Sequence, residues 1–379
     1  MTWKFSRSHQ IAYHFCPYSC YLRYYADGKG YEPKRLNVEL ATGSLAHDMV
    51  AGVLRHVKET GLIPSENDLS TYLEMALQKY KKETLARGFD IEGDAHFELM
   101  RQGCLVEGMV RGWIKLRLPI LLERFEIVSV EEEWEIPLDE DGEIVDMERI
   151  DSVWRDRITG DLWPLELKTS GMIDENWLEK WRYDSQTLKH SWATSQKFPD
   201  ANVGGVLLEV FYKGVKRRDE DGRDIYYSPF LRAYVKRGIP PFDENEMNWD
   251  SGTGRKKGWE VINRWEWKGS WDIPNEILAA QFFNIEIYRS DEEIEIWRRQ
   301  TLLEQQMIER AVNRDIEPYD EESEKFIMDM YFPKRLNAQC YSNQYRKKCP
   351  YLDVCFKGID PKESDDFMVR IPHHAGEED

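Results

Sequence analysis

Apolar residues recur along this chain in two periods. Leu45, Met49, Val53 and Val57 stand four apart, which predicts a helix over residues 41–60 with these side chains on its buried face. The same period predicts helices over 8–26, with Ser6 or Ser8 as the cap, and over 66–87, 95–123, 175–196 and 291–313. Alternation of apolar and polar positions predicts strands over 126–138, 144–154 and 162–169. Residues 203–212 are almost continuously apolar, as a strand buried on both faces would be. Strand-like pieces recur over 224–236, followed by a loop at 240–258.

The second and third of these strands carry the first candidate chemistry. Residues 155–161 between them end on Thr159-Gly160-Asp161, a turn signal. A hairpin folded about Ile158-Thr159 sets Asp151 opposite Glu166. Glu166 and Lys168 are two apart and share a face, while Leu165 and Leu167 point to the other. Opposed carboxylates repel, and a divalent cation removes that cost. Carboxylate oxygens suit Mg²⁺ or Mn²⁺. Such a cation acidifies a bound water, and a nearby ammonium can orient that water or stabilise charge at phosphorus. The plainer reading of the same residues is a solvated ladder of charges on a sheet. One of Glu131, Glu132 and Glu133 on the preceding strand can also lie near a cation. The plainer reading of these three is an edge strand with a solvated acidic face.

Asp151 with Glu166-Leu167-Lys168 resembles the PD-(D/E)xK nuclease superfamily in its RecB-like branch. Gly43-Ser44-Leu45-Ala46-His47 fits that branch's GxxxH motif, and Gln186-Thr187-Leu188-Lys189-His190 stands where it has QxxxY. The order His, Asp, ExK, Gln also matches. The resemblance implies an α/β restriction-endonuclease-like core: a mixed central sheet flanked by helices, with an N-terminal helical region and a C-terminal cysteine segment. It implies that Asp151, Glu166 and His47 lie at the metal, that Lys168 activates water, and that Gln186 orients Lys168 or substrate. Histidine at position 190 departs from the pattern.

The chain has six cysteines: Cys16, Cys20, Cys104, Cys340, Cys349 and Cys355. Cys104 falls within a predicted helix and reads as a core residue; the other five lie near the two ends. Buried thiols are the plain reading, but packing alone does not explain clustering at both ends. Disulfides do not fit a large, highly charged chain without a secretory signal. One N-terminal cysteine with Cys340, Cys349 and Cys355 is similar to the iron–sulfur nucleases, the CRISPR-associated RecB-like exonucleases and the AddB-type helicase–nucleases. That likeness implies a [4Fe–4S] cluster on four thiolates. Cys-Pro followed by aromatics favours Cys16 over Cys20. The C-x8-C-x5-C spacing departs from the shorter first interval of those families, and a four-cysteine zinc site competes.

Composition changes this picture in one respect. The formal charge of −18 is unusual for a protein that binds nucleic acid. Lys213–Arg218, Arg255-Lys256-Lys257 and Arg346-Lys347-Lys348 are local basic exceptions, and Tyr226, Tyr227 and Trp259 are aromatics suited to stacking on bases. Each also reads plainly as solvated loop or core. No apolar run approaches the roughly 20 residues of a membrane span, and residues 1–6 show no signal-peptide pattern, so a cytoplasmic protein is expected. The expected organisation is a helical part over 1–125, a nuclease core over 126–212, an elaboration over 213–313, a cysteine segment over 314–360 and a disordered acidic tail over 361–379. The resemblance implies a Mg²⁺- or Mn²⁺-dependent DNA exonuclease acting on single-stranded or frayed ends in recombination, repair or phage DNA processing. The alternatives are a nuclease subunit that needs a helicase or a recombination or spacer-acquisition partner, and a non-catalytic DNA-binding relative.

Overall fold

The computed structural model describes residues 2–34, 41–171, 173–213, 215–218, 224–227, 235–236, 259–260, 275–313, 320–341 and 348–371. In chain order the elements begin with β1 (Trp3–Ser6), α1 (Arg7–Phe15), α2 (Pro17–Tyr24) and β2 (Tyr31–Pro33). Four helices follow: α3 (Ala41–Thr60), α4 (Glu66–Ala86), α5 (Gly93–Leu116) and α6 (Leu118–Arg124). Then come β3 (Phe125–Pro137), β4 (Ile144–Asp156), β5 (Leu162–Ser170), α7 (Glu175–Glu179), α8 (Ser185–Lys197) and β6 (Val206–Tyr212). Short strands β7 (Val215–Arg218), β8 (Asp224–Tyr227), β9 (Val235–Lys236) and β10 (Trp259–Glu260) precede α9 (Asn275–Ala279) and β11 (Phe282–Ile287). The chain continues with α10 (Asp291–Val312), α11 (Glu321–Tyr331), α12 (Leu352–Lys357) and β12 (Phe367–Val369). The fold is mixed α/β, and none of the described helices is long and apolar enough to cross a membrane.

The chain divides into two compact units, and β3 and β4 pass through both. The larger comprises Leu36–Glu132 and Ile150–Ser290. Its sheet is mixed: β4 pairs antiparallel with β5, β5 parallel with β6, and β6 antiparallel with β11. Leu165, Leu167, Leu207 and Phe211 share a core with α3, α4 and α5, whereas Val206, Leu208 and Val210 pack with Trp181 and Ile287. The sheet is therefore covered on both faces. Gly204 and Gly205 let β6 enter beneath Trp163: a Cβ on either would fall within 2.7 Å of its indole ring.

The smaller unit comprises Met1–Arg35, Glu133–Arg149 and Asp291–Asp379. Here β1 pairs parallel with the start of β4, from Trp3↔Ile144 to Ser6↔Met147. Helix α10 is tied to the N-terminal elements by Trp3 Nε1 to Gln305 Oε1 (3.1 Å) and Gln10 Nε2 to Thr301 Oγ1 (2.8 Å). Leu22, Tyr31, Cys349, Tyr351, Val354 and Phe367 form one apolar cluster, so the C-terminal segment closes on the N-terminal helices.

Several expected elements are divided in the structure, each for a local reason. The helix over 8–26 breaks at Cys16, whose extended backbone (φ −162°, ψ 112°) precedes Pro17. A proline disfavours helical conformation in the residue before it and starts a helix well. The helix over 95–123 breaks at Arg117, two residues before Pro119, and that over 175–196 breaks before Asp184, which caps α8 at Gln186 N (2.9 Å). The tail expected to be disordered over 361–379 instead carries β12, paired antiparallel with β2. The loop over 240–258 lies outside the described residues, as do Arg255-Lys256-Lys257 and Arg346-Lys347.

Candidate metal site and cysteine pocket

The hairpin register is the one the sequence predicts. Ser152 pairs with Leu165 and Arg155 with Leu162, and one further step sets Asp151 opposite Glu166. The Leu167 N–H donates to Asp151 Oδ2 at 2.6 Å, fixing that carboxylate against the neighbouring strand. Its other oxygen, Oδ1, lies 2.8 Å from His47 Nδ1. His47 reaches it from the first turns of α3, where the buried face formed by Leu45, Met49 and Val53 turns the imidazole toward the sheet. Burial opposes the charged imidazole, but the Asp151 charge and its hydrogen bond, with Glu166, together outweigh this and push the His47 pKa up to about 9.

Glu131 completes the tightest ligand group. His47, Glu131 and Asp151 each offer one atom within 4.8 Å of the others, and Glu131 Oε1 is 4.0 Å from His47 Nδ1. Glu131 has φ 51°, a left-handed backbone that is unusual for a side-chain-bearing residue. Burial along β3 changes phase at this point, from Phe125, Ile127 and Ser129 to Trp134 and Ile136. An inserted residue of this kind re-aims a side chain. Of the three candidate glutamates, Glu131 is the one that lies at the site, and Glu132 and Glu133 are exposed.

Glu166 is buried and engaged on both oxygens: Oε1 pairs with Lys168 Nζ, and Oε2 lies 2.7 Å from His190 Nε2. Burial pushes its pKa up, but the Lys168 charge and the His190 hydrogen bond outweigh this and hold the carboxyl well below its usual range. Glu166 therefore lies beside, and outside, the 4.8 Å group. Lys168 Nζ stands 5.0 Å from the centre of the Trp181 ring, a cation–π distance. Gln186, in the first turn of α8, is buried, and its Oε1 has no hydrogen-bond partner among the described residues. The structure thus brings together His47, Asp151, Glu166 and Lys168 and leaves the Gln186 acceptor open. Glu131, His190 and Trp181 join them.

Cys16, Cys340, Cys349 and Cys355 line a single pocket with Phe15, Lys334, Leu336 and Leu352. The break before Pro17 presents Cys16 to it. The Cys349 N–H donates to Cys340 O at 2.8 Å. Burial, then the neighbouring Cys349, pushes the Cys355 thiol up to about 11. Cys20 lies elsewhere: it is buried and its Sγ points to His9 O at 3.6 Å. Cys104 is in the core of α5, as expected.

No family model and no curated protein matches this chain.

The donor sets can still be tested against the groups the sequence implies. Two or three carboxylates with one imidazole suit Mn²⁺ or Mg²⁺. Four thiols around one pocket suit a metal with soft ligands.

Proposed function

We propose that this chain is a Mg²⁺- or Mn²⁺-dependent phosphodiesterase with a restriction-endonuclease-like core, acting on DNA ends as a RecB-like exonuclease. The observation that carries this reading is the hairpin register: it sets Asp151 against Glu166 with Lys168 paired to Glu166, and His47 meets Asp151 from a separate helix. A solvated charge ladder needs neither a buried glutamate nor a histidine from a helix more than 100 residues upstream of its partner.

Asp151 and Glu166 would hold the cation, with His47 and Glu131 as the nearest further ligands. When bound, the cation supplies charge neutralisation at the phosphate and a more acidic water. Lys168 is placed to orient the attacking water and to stabilise charge on phosphorus. Gln186 offers its open acceptor to that water or to Lys168. Trp181 flanks the ammonium of Lys168 at a cation–π distance.

The four-cysteine pocket supports a structural [4Fe–4S] cluster that joins the N-terminal helices to the C-terminal segment. A four-cysteine zinc site would use the same ligands and is the competing reading.

A second reading keeps the same site but requires a helicase or recombination partner to load DNA. The charge of −18 favours it, because a strongly acidic chain repels free DNA. Hydrolysis of bis(p-nitrophenyl) phosphate needs no DNA binding and so tests the site under either reading. The wild type should hydrolyse it with Mn²⁺ and Asp151→Asn should not. Equal rates in both would remove this site from the chemistry.

A further inference from the structure

His190 stands where the resemblance expects tyrosine, and the proposed function gives it no role. In the structure it is 2% exposed, on the buried face of α8 against β5. Its Nε2 lies 2.7 Å from Glu166 Oε2. A carboxylate accepts, so the hydrogen in this 2.7 Å contact is carried and donated by His190 Nε2. The other Glu166 oxygen pairs with Lys168. One imidazole N–H therefore sets the rotation of a carboxylate that meets Lys168 on its opposite oxygen.

We infer that His190 is a positioning residue: by donating to Glu166 Oε2 it fixes that carboxylate so that Oε1 is presented to both Lys168 and the cation. This rests on the proposed reading of Glu166 as a cation ligand. The physical reason is general. A ligating carboxylate that is hydrogen-bonded from behind spends less freedom when the cation arrives, and loss of such a partner typically weakens metal binding about 10- to 100-fold. Tyrosine cannot substitute without rearrangement, because its hydroxyl sits further from Cα than the imidazole nitrogen does. Position 190 is buried, so this role involves no contact with substrate.

The test compares His190→Gln with His190→Met in the full-length chain. The two side chains have similar length and volume; glutamine keeps an N–H donor and methionine has none. Mn²⁺ affinity is read by titration calorimetry, beside wild type and Asp151→Asn, with thermal unfolding run on each metal-free protein. Wild type should bind Mn²⁺ at a site that Asp151→Asn abolishes. His190→Met should bind about 10- to 100-fold more weakly, His190→Gln should recover most of that loss, and the two should unfold at similar temperatures. Where activity is measured at saturating Mn²⁺, KM for DNA should be unchanged. Equal Mn²⁺ affinity in the methionine and glutamine variants, with Asp151→Asn still abolishing binding, would overturn the role of His190 and leave the proposed site standing. No Asp151-dependent binding in wild type would overturn both.

Discussion

His47 Nδ1 lies 2.8 Å from Asp151 Oδ1, across 104 residues of sequence, and the two form an ion pair when the imidazole is protonated. Binding of the proposed cation to both side chains would displace the proton they share. With the imidazole pKa at about 9, affinity for Mn²⁺ should rise as pH rises toward that value, by about tenfold per unit if one proton is released. His47→Gln should flatten the dependence. Without metal the sign is opposite. The raised pKa contributes stability that is complete below the ordinary histidine value of 6.5 and is lost as pH climbs through about 9. Calorimetry and thermal unfolding at a series of pH values check both.

The cysteine pocket divides the six thiols into four and two. Serine at Cys16, Cys340, Cys349 or Cys355 should abolish bound iron and visible absorption and lower the unfolding temperature, because binding free energy at a structural metal is folding free energy. Cys20→Ala and Cys104→Ala should keep the iron. Iron per chain in anaerobically purified protein is the measurement, and zinc in its place would convert the assignment.

Glu209, on β6, is buried, and burial pushes its carboxyl up despite Arg117 at 2.7 Å and Trp113 Nε1 at 3.2 Å. Arg117→Ala strands that group and should cost about 3–5 kcal/mol in urea unfolding. Replacing both residues by leucine should cost far less, since no buried charge is left alone.

Gly205→Ala should destabilise by roughly 1–3 kcal/mol through overpacking. The new Cβ would meet Trp163 at 2.7 Å and the carbonyl of Ile287 at 2.8 Å. Coupling to Trp163→Phe, measured as a double-mutant cycle, checks whether the indole is the obstacle.

Local patterns in the sequence were enough to place α3 at 41–60 and the β4–β5 register, because a helical face and a period-two hairpin each rest on neighbouring residues. The helix breaks at Cys16 and Arg117 were also legible in principle: a proline follows each within two residues. Glu131 was not distinguishable from Glu132 and Glu133, because a left-handed residue within a strand leaves no compositional mark. The partnership of His190 with Glu166 depends on how α8 lies against β5, a long-range packing relation. The preference for Cys16 over Cys20 was legible from the Cys-Pro pattern, and Cys16 is the one that lines the pocket. Residues 213–285, where sequence offered basic clusters and Tyr226, Tyr227 and Trp259, lie largely outside the described residues.

The proposed function requires that Asp151, Glu166 and Lys168 cut DNA with a divalent cation. It is tested most directly by incubating anaerobically purified full-length protein with end-labelled single- and double-stranded DNA, in Mn²⁺ or in EDTA, beside Lys168→Ala. Wild type should show Mn²⁺-dependent shortening from an end, abolished by EDTA and reduced at least about 100-fold in Lys168→Ala. Cutting at the wild-type rate by Lys168→Ala, or cutting that persists in EDTA, would contradict it.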